Sequence, residues 1–344
     1  MKTVLNTNNP INRSNKLFFG EKLGICNFAD MKYPIFKKLY DEQLSFFWRP
    51  TEISMLKDSS DIVKMDKVSR SIFEKNISFQ TMGDSFLGQG IDGIKEHVTN
   101  NEFSQTLAVH MFFEESIHTP SYSHIFENIY KDPSEKFYSI LNDVNIKERA
   151  QTSTEKFNAL LNSSSVDKRY EVINTIVTLL ALESISFYSS FSTSYFFARR
   201  GQMTGSGSII ELINRDEHLH KANSINALKY LSTEESEGFL DLKDYIRHAV
   251  YECFSSMAAQ EKEWNKYLLS EGQLPGLTIE SHSQYVEYLT NKSLLEIGYK
   301  DKIFRDVKSP YPWTSEYQSS SKSQQKAPQE QTITSYTKNV LDDL

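Results

Sequence analysis

Cysteine is nearly absent: Cys26 and Cys253 are the two in 344 residues. Two thiols build neither a disulfide framework nor a cysteine metal site, so a reducing compartment, the cytoplasm, is the expectation. Their spacing is not that of a redox pair, which excludes thiol-based reduction within this chain. Glycine and proline are also sparse, at 13 and 9 residues, and no alternation of apolar and polar positions persists. That argues against a turn-rich β architecture and for a mostly helical chain. Nowhere do about 18 consecutive apolar residues occur, and residues 1–16 are polar and Asn-rich, so neither a membrane span nor a signal peptide is expected. Excess positive charge is missing as well. A net charge of -7 and a pI near 5.7 exclude a general nucleic-acid binder, which carries a basic face.

The chain does contain enough apolar residues, 39%, for a sizeable core. Residues 1–32 read as an irregular lead-in, and residues 33–313 as one helical domain. Ile35, Leu39, Leu44 and Phe47 form an apolar stripe that Pro50 stops. Helical patterns follow over 67–87, from Asn100 through Pro133, over 145–163, 172–197, 209–231, 233–269 and 279–298. The 172–197 stretch is apolar nearly all round, as a central bundle helix must be. From 314 to 344 the composition turns to Ser, Gln, Lys and Thr, which buries too little apolar surface to fold alone and predicts a flexible tail. Tyr336, Val340 and Leu341 stand out there as a possible docking island.

Chemistry concentrates around Glu115-Ser116-Ile117-His118 through Tyr122. At about 100° per residue, offsets of zero, three and seven put carboxylate, imidazole and phenol near one helical line. A second Glu-x-x-His occurs at Glu217 and His220. Two such motifs on helices, with one carboxylate from each of two others, are the arithmetic of a carboxylate-bridged dinuclear bundle. Asp84 and Glu183 supply the other two. A carboxylate between Leu182 and Ile185 needs a cation, a proton or a partner. The set of four carboxylates and two imidazoles, without sulfur, suits two iron ions, with manganese the alternative. A lone Glu-x-x-His is more often accident than site. Tyr122 and Trp48, taken singly, read equally well as packed core aromatics.

The motifs Phe46-Phe47-Trp48-Arg49-Pro50, Gly83-Asp84-Ser85, Glu115 to His118 with Ser121-Tyr122, Leu182 to Tyr188 and Arg215 to His220 occur in one order. Together they resemble the small, radical-generating subunit of class I ribonucleotide reductase. The resemblance implies an all-α, ferritin-like bundle with a buried dinuclear site and a stable tyrosyl radical at Tyr122. By the same likeness Asp84, Glu115 and His118 bind one metal, and Glu183, Glu217 and His220 the other. It further implies an electron path His118–Asp216–Trp48 and a radical pocket walled by Phe187, Phe191 and Ile213. It implies a homodimer, joined through the tail to a large subunit, with Tyr336 or else Tyr317 as relay.

Some positions depart from the family pattern. Met111 stands where tryptophan is frequent, and Glu114 where the common form has a small hydroxyl residue. On a regular helix Glu114 points about 100° away from the Glu115 face, toward solvent or a neighbouring helix. Two other readings stay open: a di-iron oxidase or ferroxidase, which needs neither Trp48, Tyr122 nor the tail, and a metal-free scaffold subunit. The scaffold is disfavoured by the cost of keeping unpaired carboxylates in an apolar bundle.

Overall fold

A computed structural model describes residues 6–7, 15–21 and 25–320, with side chains to 317. The helices are α1 (Pro34–Ser45), α2 (Leu56–Lys64), α3 (Lys67–Lys95), α4 (Asn101–Phe113), α5 (Thr119–Ile129), α6 (Pro133–Asn142) and α7 (Val144–Asn162). They continue as α8 (Arg169–Ala181), α9 (Phe187–Ala198), α10 (Thr204–Thr233), α11 (Lys243–Leu268), α12 (Ile279–Ile297) and α13 (Thr314–Ser320). Among the described residues there is no strand, only isolated bridges such as Phe18 to Val98. The chain is an all-α bundle.

Its centre is α3, the α4–α5 pair, the α8–α9 pair and α10. Helix α3 packs on α4, α7 and α9, while α10 packs on α8 and α9; α1 closes one side against α4 and α10, and α11 and α12 cover another. The run Arg169–Ala198 is long and apolar enough to cross a membrane by length and composition. Yet 94% of its most apolar window is buried inside the bundle, as expected for a central helix.

Local chemistry sets the helix starts. Asp66 accepts the Ser69 amide at 3.0 Å to cap α3, and Asn100 accepts the Phe103 amide at 2.9 Å to cap α4. The start of α10 is capped from a distance. Met203 precedes it with φ +50°, and buried Asp58 of α2 accepts the Gly205 and Ser206 amides at 2.8 and 2.7 Å. That carboxylate satisfies donors that helix geometry leaves open.

One expected helix is shortened. The 233–269 pattern begins only at Lys243, because Gly238 turns at φ +80° and the buried Glu237 is engaged elsewhere. Glu237 accepts the Leu17 amide at 2.6 Å and the Tyr33 hydroxyl at 2.6 Å, and it pairs with Lys32. This carboxylate ties residues 15–21 to the bundle. At the other end, α13 extends past the expected boundary at 313, and Tyr317 stacks on Tyr195 with centroids 4.1 Å apart.

Two helices contain a wide, π-type turn, Glu114–His118 between α4 and α5 and Leu182–Ser186 between α8 and α9. In the first, the Glu114 carbonyl takes the Thr119 amide five residues on and the Thr119 hydroxyl at 2.9 Å. Pro120 follows directly. It has no amide to give and its ring crowds the carbonyl four residues back, which a regular turn cannot accommodate and a widened one can. In the second, Arg149 and Glu261 hold Ser186: Arg149 reaches its carbonyl at 3.4 Å, and the Ser186 hydroxyl donates to Glu261 at 2.7 Å.

Candidate metal centre

The wide turn at 114–118 changes which glutamate faces inward. Over four residues a regular helix turns about 400°, overshooting a full circle by about 40°. A π-type turn takes up that excess, so His110, Glu114, His118 and Tyr122, spaced by four, line one face. All four are buried, each no more than 1% exposed. Glu115 is exposed, its Cγ lying over Gly88 of α3, where an added Cβ would come within 2.9 Å of it. The expectations that Glu115 faces the site and that Glu114 turns away are therefore both corrected. The physical reason is the extra residue in the turn ahead of Pro120.

The remaining expected ligands converge with Glu114. Asp84 from α3, Glu183 from the second wide turn, and Glu217 and His220 from α10 are all buried. Donor atoms of Asp84, Glu114 and His118 lie within 4.8 Å of one another, as do those of Glu183, Glu217 and His220, and those of His110, Glu114 and His220. His118 Nδ1 sits 3.4 Å from Glu114 Oε1, 3.4 Å from Glu217 Oε1 and 3.8 Å from Asp84 Oδ2. His220 Nδ1 is 3.2 Å from Glu114 Oε1 and 3.3 Å from Glu217 Oε2. Glu114 and Glu217 thus lie between the two clusters.

These groups do not satisfy one another. Both carboxylate oxygens of Asp84, Glu114 and Glu183, with Glu217 Oε1 and His118 Nδ1, are buried without a hydrogen-bond partner. Burial, reinforced by Glu114, holds the Asp84 carboxyl well above the usual carboxylate range; burial and then Glu217 do the same to Glu183. Burial pushes the His220 imidazole down to about 3. For His118, burial acts to lower the imidazole but is outweighed by the Glu114 charge and the hydrogen bond to Asp216, and the imidazole is raised. Four carboxylates at one buried point are costly unless cations compensate them. Hard oxygen and imidazole donors with open lone pairs fit two divalent ions of the iron or manganese type.

Two further elements stand beside the clusters. Trp48, following α1, donates its indole N–H to Asp216 Oδ2 at 2.8 Å, and the same oxygen lies 3.2 Å from His118 Nε2. A hydrogen bond there leaves Nδ1 turned to the donor cluster. The Tyr122 hydroxyl, fully buried, lies against the Asp84 carboxylate without an aligned hydrogen bond, and burial and the Asp84 charge raise its pKa well above that of a free phenol. Phe187, Phe191 and Ile213 are buried in the same core. The Phe187 ring covers Gly83, where a Cβ would meet it at 2.8 Å. Tyr336 lies outside the described residues.

Sequence reasoning missed Glu114 and His110. The signal that finds them is the spacing of four through 110, 114, 118 and 122, together with Pro120 as the cause of a widened turn. Cys253, pushed up to about 11 by burial, is no nucleophile.

Residues 25–310 match the family model "Ribonucleotide reductase, small chain". The ribonucleoside-diphosphate reductase subunit beta of Buchnera aphidicola (subspecies Baizongia pistaciae) is 33% identical, over 94% of this chain and 93% of its own length. The ribonucleotide reductase R2 subunit from Clostridium botulinum superposes with a TM-score of 0.82 at 26% identity, covering 92% of this chain and 98% of that one. The dimanganese(II) NrdF of Streptococcus sanguinis shares the fold, with a TM-score of 0.68 at 21% identity over 83% of this chain and 95% of that one.

Proposed function

The chain belongs to the ribonucleotide reductase small-chain family, and from that premise we propose that it carries a dinuclear metal centre that generates a radical on Tyr122. That radical is passed to the large subunit, where ribonucleoside diphosphates are reduced to deoxyribonucleotides. The chain is inactive alone. The observation that carries this reading is the convergence of unpartnered, buried carboxylate and imidazole atoms on the helix that also holds Tyr122.

In this reading Asp84, Glu114 and His118 hold one ion, Glu183, Glu217 and His220 hold the other, and Glu114 and Glu217 face both. Glu114 takes the place first expected for Glu115. Iron is the proposed metal, with manganese the alternative that the same donors accept. When bound, the ions supply one-electron oxidising power drawn from dioxygen.

The protein's own residues do the rest. Tyr122 is the group oxidised: it gives up one electron and its phenolic proton, and the Asp84 carboxylate beside it is the proton acceptor. The bundle core keeps water and reductants from the phenol. Asp216 orients His118 and accepts the indole proton of Trp48, giving a hydrogen-bonded route from the centre outward. Trp48, Asp216 and Tyr336 together form the proposed relay, and the tail docks on the large subunit. Two copies of the chain form the working dimer.

The test is low-temperature electron paramagnetic resonance with metal analysis on protein reconstituted with ferrous iron and oxygen. A tyrosyl signal is expected in the wild type and lost in Tyr122→Phe at unchanged metal content. A signal that persists in the variant overturns the assignment to Tyr122, and absence of bound metal overturns the dinuclear reading.

A further inference from the structure

One imidazole at the centre is not among the six ligands assigned above. His110, on α4 one turn before Glu114, is 1% exposed, and both its ring nitrogens lack a hydrogen-bond partner. Its Nε2 lies 3.1 Å from Glu183 Oε1 and 3.7 Å from Glu114 Oε1. Its ring stacks on His220, with centroids 3.6 Å apart and planes 20° from parallel.

A packed core histidine normally meets this burial by hydrogen-bonding at least one nitrogen. His282 in the same protein does so, its Nε2 lying 3.4 and 3.3 Å from the hydroxyls of Ser189 and Thr193. His110 has nothing of the kind, and its Nε2 is turned into a group of carboxylate oxygens equally without partners. Donors about 2.0–2.2 Å from a shared ion, at angles near 90–110°, sit roughly 2.9–3.6 Å apart. The spacing of His110 Nε2 from Glu183 falls within that range, and its spacing from Glu114 lies just beyond it.

We propose that His110 is a seventh donor to the dinuclear centre, binding through Nε2 on the side of Glu183 and His220, so that the centre carries three imidazoles. The proposal rests on the dinuclear reading. It follows from the same widened turn that brings in Glu114, since both residues sit on the face that the turn aligns. A third neutral imidazole adds a donor without adding charge to the four carboxylates, and it crowds a position otherwise open to a small molecule.

The test counts coordinated imidazoles directly, without turnover. Protein carrying ¹⁵N-labelled histidine is loaded with cobalt(II), and the hyperfine-shifted imidazole N–H resonances are counted by NMR. Each coordinated histidine keeps one N–H, so three shifted resonances are expected in the wild type and two in His110→Gln. Cobalt binding to that variant should be weaker by at least about 10–100-fold, the loss typical even of residues that only support a ligand. The wild-type count needs no variant to fold. Two resonances at full cobalt loading overturn the role of His110 and leave the dinuclear centre standing. Failure of the wild type to bind two cobalt ions overturns the centre itself, and the seventh ligand with it.

Discussion

His282 shows at the scale of one residue what burial without a counter-charge does. Desolvation, and then the Arg149 charge, push its imidazole from 6.5 down to about 3. Between those values the unfolded chain binds a proton that the folded chain refuses. The stability contributed by the neutral ring is therefore complete above about pH 6.5 and declines as pH falls toward 3, at no more than about 1.4 kcal/mol per pH unit. Denaturant midpoints measured between about pH 7 and 5 should fall more steeply for the wild type than for His282→Gln. Equal slopes would show that the ring is not held neutral. The same burial acts on the histidines of the centre, but there the unpartnered atoms point at one another instead of at hydroxyl groups.

At the scale of the element, the widened turns determine what each helix presents. Had α4 run on regularly, Glu115 and His118 would share the inner face in the Glu-x-x-His manner. The extra residue in Glu114–His118 puts Glu114 there instead and leaves Glu115 over Gly88. Metal analysis should accordingly separate the neighbours. Glu114→Gln is expected to lose at least one of the two ions, while Glu115→Gln keeps both. Loss confined to Glu115→Gln would mean that the helix runs regularly once ions are bound. The second turn is fixed differently, by Arg149 and Glu261 gripping Ser186 from α7 and α11. Arg149 also lies over the rings of Phe79 and Trp264, at 3.4 and 4.4 Å. The Glu183 segment is thus clamped from outside the four central helices.

For the whole molecule, the design separates a closed centre from whatever engages its partner. A small chain implies a large subunit, and Trp48 and Asp216, the inner members of the proposed relay, are themselves buried beside the donor cluster. Truncation after residue 320 is expected to leave metal content and the Tyr122 signal intact and to abolish turnover with the large subunit. Undiminished turnover by the truncated chain would remove the docking role of the tail and of Tyr336.

The sequence by itself determined the helical class, the central placement of 172–197, and five of the six buried residues proposed as ligands, because helical periodicity and the spacing within each motif are local properties. It also carried the pairing of Trp48 and Asp216, through likeness to a family rather than through periodicity. Tertiary structure decided the rest. Which of two adjacent glutamates turns inward depends on one residue of helical phase, set by Pro120 and by packing against α3. The start of α10 depends on Asp58, which lies 147 residues from Gly205, and the late start of α11 on Glu237, occupied by Leu17 and Tyr33. His110 carries no motif of its own. Only the stacking on His220 and the approach to Glu183, from helices distant in sequence, make it part of the centre.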